Sequence, residues 1–149
     1  MPDPILRILA FDFGLRRIGI ATGDTLTGTA APRPAAAARA GEPDWEAIGR
    51  EMRAFNPGRA VVGAPYNADG TAGALLPQAR RFASEIKRRF ALPVSLVDER
   101  FSSLEASEAL KARRARGERG RLRRTDIDSA AAAVILERWL SGEPGEELP

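Results

Sequence analysis

A link through Gly14, Leu15 and Arg16 separates two strand-like runs, and its shortness constrains the fold more than any other feature of the chain. Residues 5–12 are apolar apart from Arg7 and the closing Asp12, and residues 17–24 form a second run of strand character. So short a link has no room for a crossover helix, so the two runs are read as an antiparallel hairpin. Residues 27–33 are read as a third strand continuing the meander, and the Ala/Arg/Pro stretch 34–43 as a surface loop. Helical spacing then marks 44–55, with Trp45, Ile48, Met52 and Phe55 on one face. A strand at 59–63, a turn-rich loop at 64–71, a helix at 72–90 and a strand at 92–97 follow. Ser102 and Glu105 form a capping box for a helix to about residue 114. Residues 115–124 read as a loop, and 125–140 as a closing helix. This order specifies an α/β domain over residues 1–140, with a mixed sheet of an antiparallel meander plus parallel strands flanked by helices. The acidic Pro/Gly-bearing stretch 141–149 is expected to be a flexible tail.

The 149 residues include no His and no Cys. Most familiar proton shuttles, thiol nucleophiles and zinc sites are therefore ruled out. Carboxylates holding a hard divalent cation remain as the natural catalytic chemistry. No apolar run reaches the ~20 residues of a membrane span. The N-terminal residues lack the pattern of a secretion signal, and the missing cysteines fit a reducing compartment, so a cytoplasmic location is expected. Oligomeric state stays open between monomer and homodimer.

Three acids carry the site hypothesis. Asp12 closes the first apolar run, at the strand end where α/β sheets place their chemistry; alone, it could equally be an Asp accepting turn N–H bonds. Glu99 follows the 92–97 run behind Asp98, and alternation does not decide which of the two faces a site. Asp128 shares a helix face with Ala131, Ala132, Ile135 and Trp139, in line with an apolar stripe where a carboxylate needs a partner or a metal. Thr125 and Asp128 also resemble a capping box, a compatible structural role.

Of the 23 basic residues only Lys87 and Lys111 are lysines, so 23 − 2 leaves 21 arginines, whose planar fork suits phosphate. Residues 111–124 hold Lys111, Arg113, Arg114, Arg116, Arg119, Arg121, Arg123 and Arg124 against a single acid, Glu118. Such density is the footprint of a nucleic-acid contact segment, and it leads directly into Asp128.

Four motifs in order carry a specific resemblance: Phe11-Asp12-Phe13-Gly14 with Arg17-Ile18-Gly19-Ile20-Ala21; Val61-Val62-Gly63-Ala64-Pro65 with Asp69-Gly70-Thr71; Val97-Asp98-Glu99-Arg100-Phe101-Ser102; and Asp128-Ser129-Ala130-Ala131. With them, residues 6–140 resemble the YqgF family, also called RuvX-like, described as Holliday junction resolvases or as pre-16S rRNA nucleases. Ala64 stands where Leu is common in that family. The resemblance implies an RNase H-like fold, with Asp12, Glu99 and Asp128 as catalytic, metal-holding carboxylates for Mg²⁺ or Mn²⁺. It implies a metal-dependent endonuclease acting on structured RNA or branched DNA, with Arg17, Arg100, Arg119, Arg121, Arg123 and Arg124 on the nucleic acid. Processing of the 5′ end of pre-16S rRNA in ribosome biogenesis is the first expectation. The alternatives are Holliday junction resolution or a non-catalytic nucleic-acid-binding factor on the same fold. An actin-like ATP cleft would need two domains, for which the chain is too short.

Overall fold

The computed structural model describes residues 4–64, 73–98 and 124–149; for Asp98 and residues 124–128 the description covers the backbone. The first hairpin is as expected. β1 (Arg7–Asp12) and β2 (Arg17–Asp24) pair antiparallel, with Asp12 opposite Gly19 and Arg7 opposite Asp24. β3 (Ala30–Arg39) continues the meander against β2.

β3 corrects the sequence reading, which ended this strand at 33 and placed a loop over 34–43. The strand runs to Arg39 and turns back into β4 (Glu42–Pro43). Pro32 and Pro34 have no N–H to give a ladder, which argues against a central strand. Only Ala38 and Arg39 pair with β4, so the prolines sit on an open edge where no N–H is required. Ala40 and Gly41, at φ 49° and 84°, make the two-residue turn, whose geometry demands positive φ at both positions.

α1 (Trp45–Phe55) starts where Asp44 accepts a hydrogen bond from the Ala47 N–H at 3.2 Å, and stops at Asn56 in the left-handed region. β5 (Arg59–Ala64) then joins β1 in parallel, and β6 (Val94–Asp98) joins β5 in parallel after α2 (Leu76–Phe90). The expected helix at 102–114 and loop at 115–123 lie outside the described residues. α3 (Arg124–Leu140) follows, so Thr125 falls inside the helix rather than at its cap. With β7 (Glu146–Glu147) as the last, seven strands among the described residues order as β4-β3-β2-β1-β5-β6-β7, a mixed sheet. Alternation along β1 divides the core: Leu9 and Phe11 pack toward α1 and α2, while Ile8 and Ala10 pack with Ala132, Ala133, Ile135 and Leu136 of α3.

The end of the chain departs from the flexible-tail expectation. β7 (Glu146–Glu147) pairs antiparallel with β6, and the Leu148 N–H donates to the Val94 carbonyl at 3.0 Å. Glu147 meets Arg59 at 2.7 Å and Glu146 meets Arg80 at 2.6 Å. Burial pushes the Glu147 carboxyl up, but hydrogen bonds from Arg59 and Ser95 and the charges of Arg59 and Lys87 outweigh it and hold the group below its usual value. The Arg80 hydrogen bond likewise lowers Glu146. Groups with depressed folded values stabilise above the ordinary glutamate value of 4.5 and lose that contribution as pH falls through the lowered values. The tail is therefore expected to stay docked at neutral pH and to release below pH 4.5, read as movement of the Leu148 amide signal in two-dimensional NMR.

Candidate active site

Asp12 is delivered to one face of the sheet by its neighbours. Phe11 and Phe13 both press on Phe82 of α2, each with ring centroids 5.4 Å apart. With those rings pinned on the α2 face, alternation directs the half-buried Asp12 to the α3 face. Its cross-strand partner there is Gly19, which carries no side chain. Arg17 opens β2 two residues from Gly19, so alternation gives it the same face as Asp12.

α3 is placed over that face by two contacts. A bulge between Ile18 and Ile20 interrupts the β2–β3 ladder, and the Ile20 N–H donates instead to Ser129 Oγ at 3.3 Å. At the other end, a Cβ on Gly23 would lie 2.8 Å from Leu136 Cδ2, so the glycine lets the helix ride close to the sheet. Ile20 pairs with Phe11, and Gly23 pairs with Ile8. The helix thus runs antiparallel to β1, and its first turns overlie the end of β1 that carries Asp12. Asp128 precedes Ser129, and helical spacing puts it on the face of Ala132 and Ile135, both fully buried on the sheet.

Parallel β1, β5 and β6 end at one edge. Phe11 pairs with Val62, Gly63 with Val97, and Ala64 with Asp98. Val97 belongs to the core on the α3 side. The chain leaves β6 at Asp98, one residue before Glu99, which lies outside the described residues, as do Arg100, Arg119, Arg121 and Arg123. Arg124 opens α3. The structure therefore brings Asp12 and the backbone of Asp128 to one face and one edge, with β6 ending at the same edge. A cavity of ≈ 360 Å³ lined by Phe13, Trp45, Phe82, Arg81, Arg88 and Arg89 lies on the opposite face, away from Asp12.

The positioning role of Ser129 is what sequence reasoning missed, although the residue stands in the fourth motif. Removing its hydroxyl leaves the buried Ile20 N–H without that acceptor, at a cost of about 1–3 kcal/mol. For a chain of this length each kcal/mol is worth roughly 2–4 °C. Ser129→Ala is expected to lower the melting temperature by roughly 2–12 °C, measured by circular dichroism.

This mixed sheet with helices on both faces is the RNase H-like fold of the RuvC-type resolvases. RuvC from T. thermophilus in complex with Holliday junction substrate superposes with a TM-score of 0.56 at 17% identity, covering 96% of this chain and 99% of that one. A second T. thermophilus RuvC structure gives 0.54 at 15% identity. Residues 6–142 match the RuvX family, described as Holliday junction resolvase. The proteins named "Putative pre-16S rRNA nuclease" of Salmonella paratyphi B and Salmonella typhi are each 45% identical over 132 residues, 89% of this chain and 94% of theirs. The chain belongs to the RuvX family of nucleases.

Proposed function

We propose that this chain is a divalent-metal-dependent endonuclease acting on structured nucleic acid in the cytoplasm, with the 5′ end of pre-16S rRNA as its substrate. The observation that carries the reading is the meeting of Asp12 and the first turns of α3 on one face of the sheet edge where β6 also ends. Oxygen donors from Asp12, Asp128 and Glu99 would form an all-carboxylate set, the chemistry that hard cations such as Mg²⁺ or Mn²⁺ prefer. When bound, such an ion lowers the pKa of water and offsets charge on a phosphoryl oxygen. The chain's own part is positional. Phe82 holds the Asp12 strand end and Ser129 holds α3 against the sheet. Arg17 and Arg100 would orient phosphates by their planar forks.

The RNA reading is supported by the 45% identical relatives, which carry the pre-16S rRNA name. Holliday junction resolution is the second reading, favoured by the family's description and by the fold shared with a RuvC seen on a junction. Cleavage of a 5′-extended 16S precursor and of a four-way DNA junction, each with Mn²⁺ and matched in concentration, separates them. The RNA reading expects a discrete cut at the precursor 5′ end and slower or no junction cutting; the reverse ranking overturns it.

Residues 111–124 would hold the substrate through its phosphates. Replacing Arg119, Arg121, Arg123 and Arg124 by Ala is expected to weaken binding, each lost contact lowering the log–log salt slope by ~0.9 on duplex DNA. An unchanged slope would make this segment a solvated surface.

A further inference from the structure

The C-terminal residues are held as a bound peptide is held. An extended stretch adds to the free edge of β6, with Glu147 opposite Ser95 and Glu146 opposite Leu96. Glu147 lies across Arg59, whose Nη1 donates to both carboxylate oxygens at 2.7 and 2.8 Å, and it also accepts from Ser95 Oγ. Arg80 forks onto Glu146 with donations of 3.0 and 2.6 Å. Leu148 packs partly buried against the α1/α2 core. A Cβ on Gly145 would sit 2.9 Å from the Leu96 carbonyl oxygen, so the approach is close. These are the elements of strand addition: backbone ladder for affinity, charged forks and an apolar anchor for selectivity.

The seat and its occupant divide at the family boundary. Arg59, Arg80, Ser95 and the β6 edge all lie within residues 6–142, which match the family. The occupant, residues 145–148, lies beyond it. Arg59 is also braced from behind, its guanidinium 5.6 Å from the Trp139 ring. The seat is thus built by the body of the domain, and the tail is a ligand that happens to be tethered.

We propose that the β6 edge, with Arg59, Arg80 and Ser95, is a docking site for an extended acidic segment of Glu-Glu-Leu pattern, filled here in cis and able to take the tail of a second copy in trans. Tail exchange between two copies uses the same contacts and needs only that the short stretch after α3 open, the usual route of segment swapping. The inference is independent of the nuclease reading.

The test uses the full chain. A fluorescein-labelled peptide of residues 143–149 is titrated with wild-type protein and with the Glu146→Arg/Glu147→Arg variant, whose own tail is repelled by Arg80 and Arg59. A short tether supplies roughly millimolar local tail, so the wild-type seat is blocked. The variant should bind at least tenfold more tightly than wild type, and adding Arg59→Ala should remove that binding. A shuffled peptide of equal charge should bind at least tenfold more weakly. Flat anisotropy with the folded variant, equal binding by wild type, or equal binding of the shuffled peptide would each overturn the proposal. If the Arg variant melts below the assay temperature, Glu146→Gln/Glu147→Gln repeats the comparison, and absence of any gain over wild type counts against the site in the same way.

Discussion

Asp128→Asn is expected to reduce Mn²⁺-dependent cleavage by at least ~10³-fold, about 4 kcal/mol in the transition state, while leaving the chain folded. The helix supplies the reason. Ser129 and the buried alanines that follow fix α3 to the sheet. Asn keeps the volume, and residue 128 lies inside α3 rather than at its start, so no cap is lost. What disappears is the negative charge a hard cation requires. Relief of repulsion within the proposed carboxylate set should keep the metal-free melting temperature level or raise it. A structural Asp128 would give the opposite pair of results, normal cleavage with a lowered melt.

Gly14→Ala is expected to destabilise the fold and to disturb the site with it. A Cβ at this position would sit 2.5 Å from the Arg17 carbonyl oxygen, a backbone atom of the hairpin that begins β2. No rotamer can relieve such a contact, so the β1–β2 connection must shift. Overpacking of this kind costs about 1–3 kcal/mol, or roughly 2–12 °C in melting temperature for this length. Asp12 lies two residues away, and Phe13 between them is pinned by Phe82. Cleavage measured well below the melt should therefore fall further than stability alone explains, because a misplacement of about 1 Å can cost 10²-fold. Unchanged melting and activity would mean the hairpin tolerates the methyl group.

How far the chain could be read in advance varied with where the determining interactions lie. The β1–β2 hairpin was legible because apolar periodicity and a short link act locally. The position of Asp12 at a strand end followed from the same run. Its face did not, because that depends on Phe11 and Phe13 meeting Phe82, some 70 residues on. β3 was cut short because Ala, Arg and Pro have little strand propensity of their own, and its strand state comes from pairing with β2. The tail was misjudged for a similar reason, since Glu147 finds its partner 88 residues back in Arg59. Ser129 stands inside a sequence motif, but the break in the β2–β3 register that gives it an N–H to accept is a tertiary feature.

The central claim is that Asp12, Glu99 and Asp128 together hold a divalent cation, and calorimetric titration of Mn²⁺ into the full chain tests it without any assumption about substrate. Wild type is expected to give saturable binding and, at 100 times the dissociation constant, a stabilisation of about 2.7 kcal/mol. Asp12→Asn, Glu99→Gln and Asp128→Asn, each folded, should weaken or abolish that binding and its thermal stabilisation. Absence of binding by wild type, or undiminished binding by all three variants, would contradict the account.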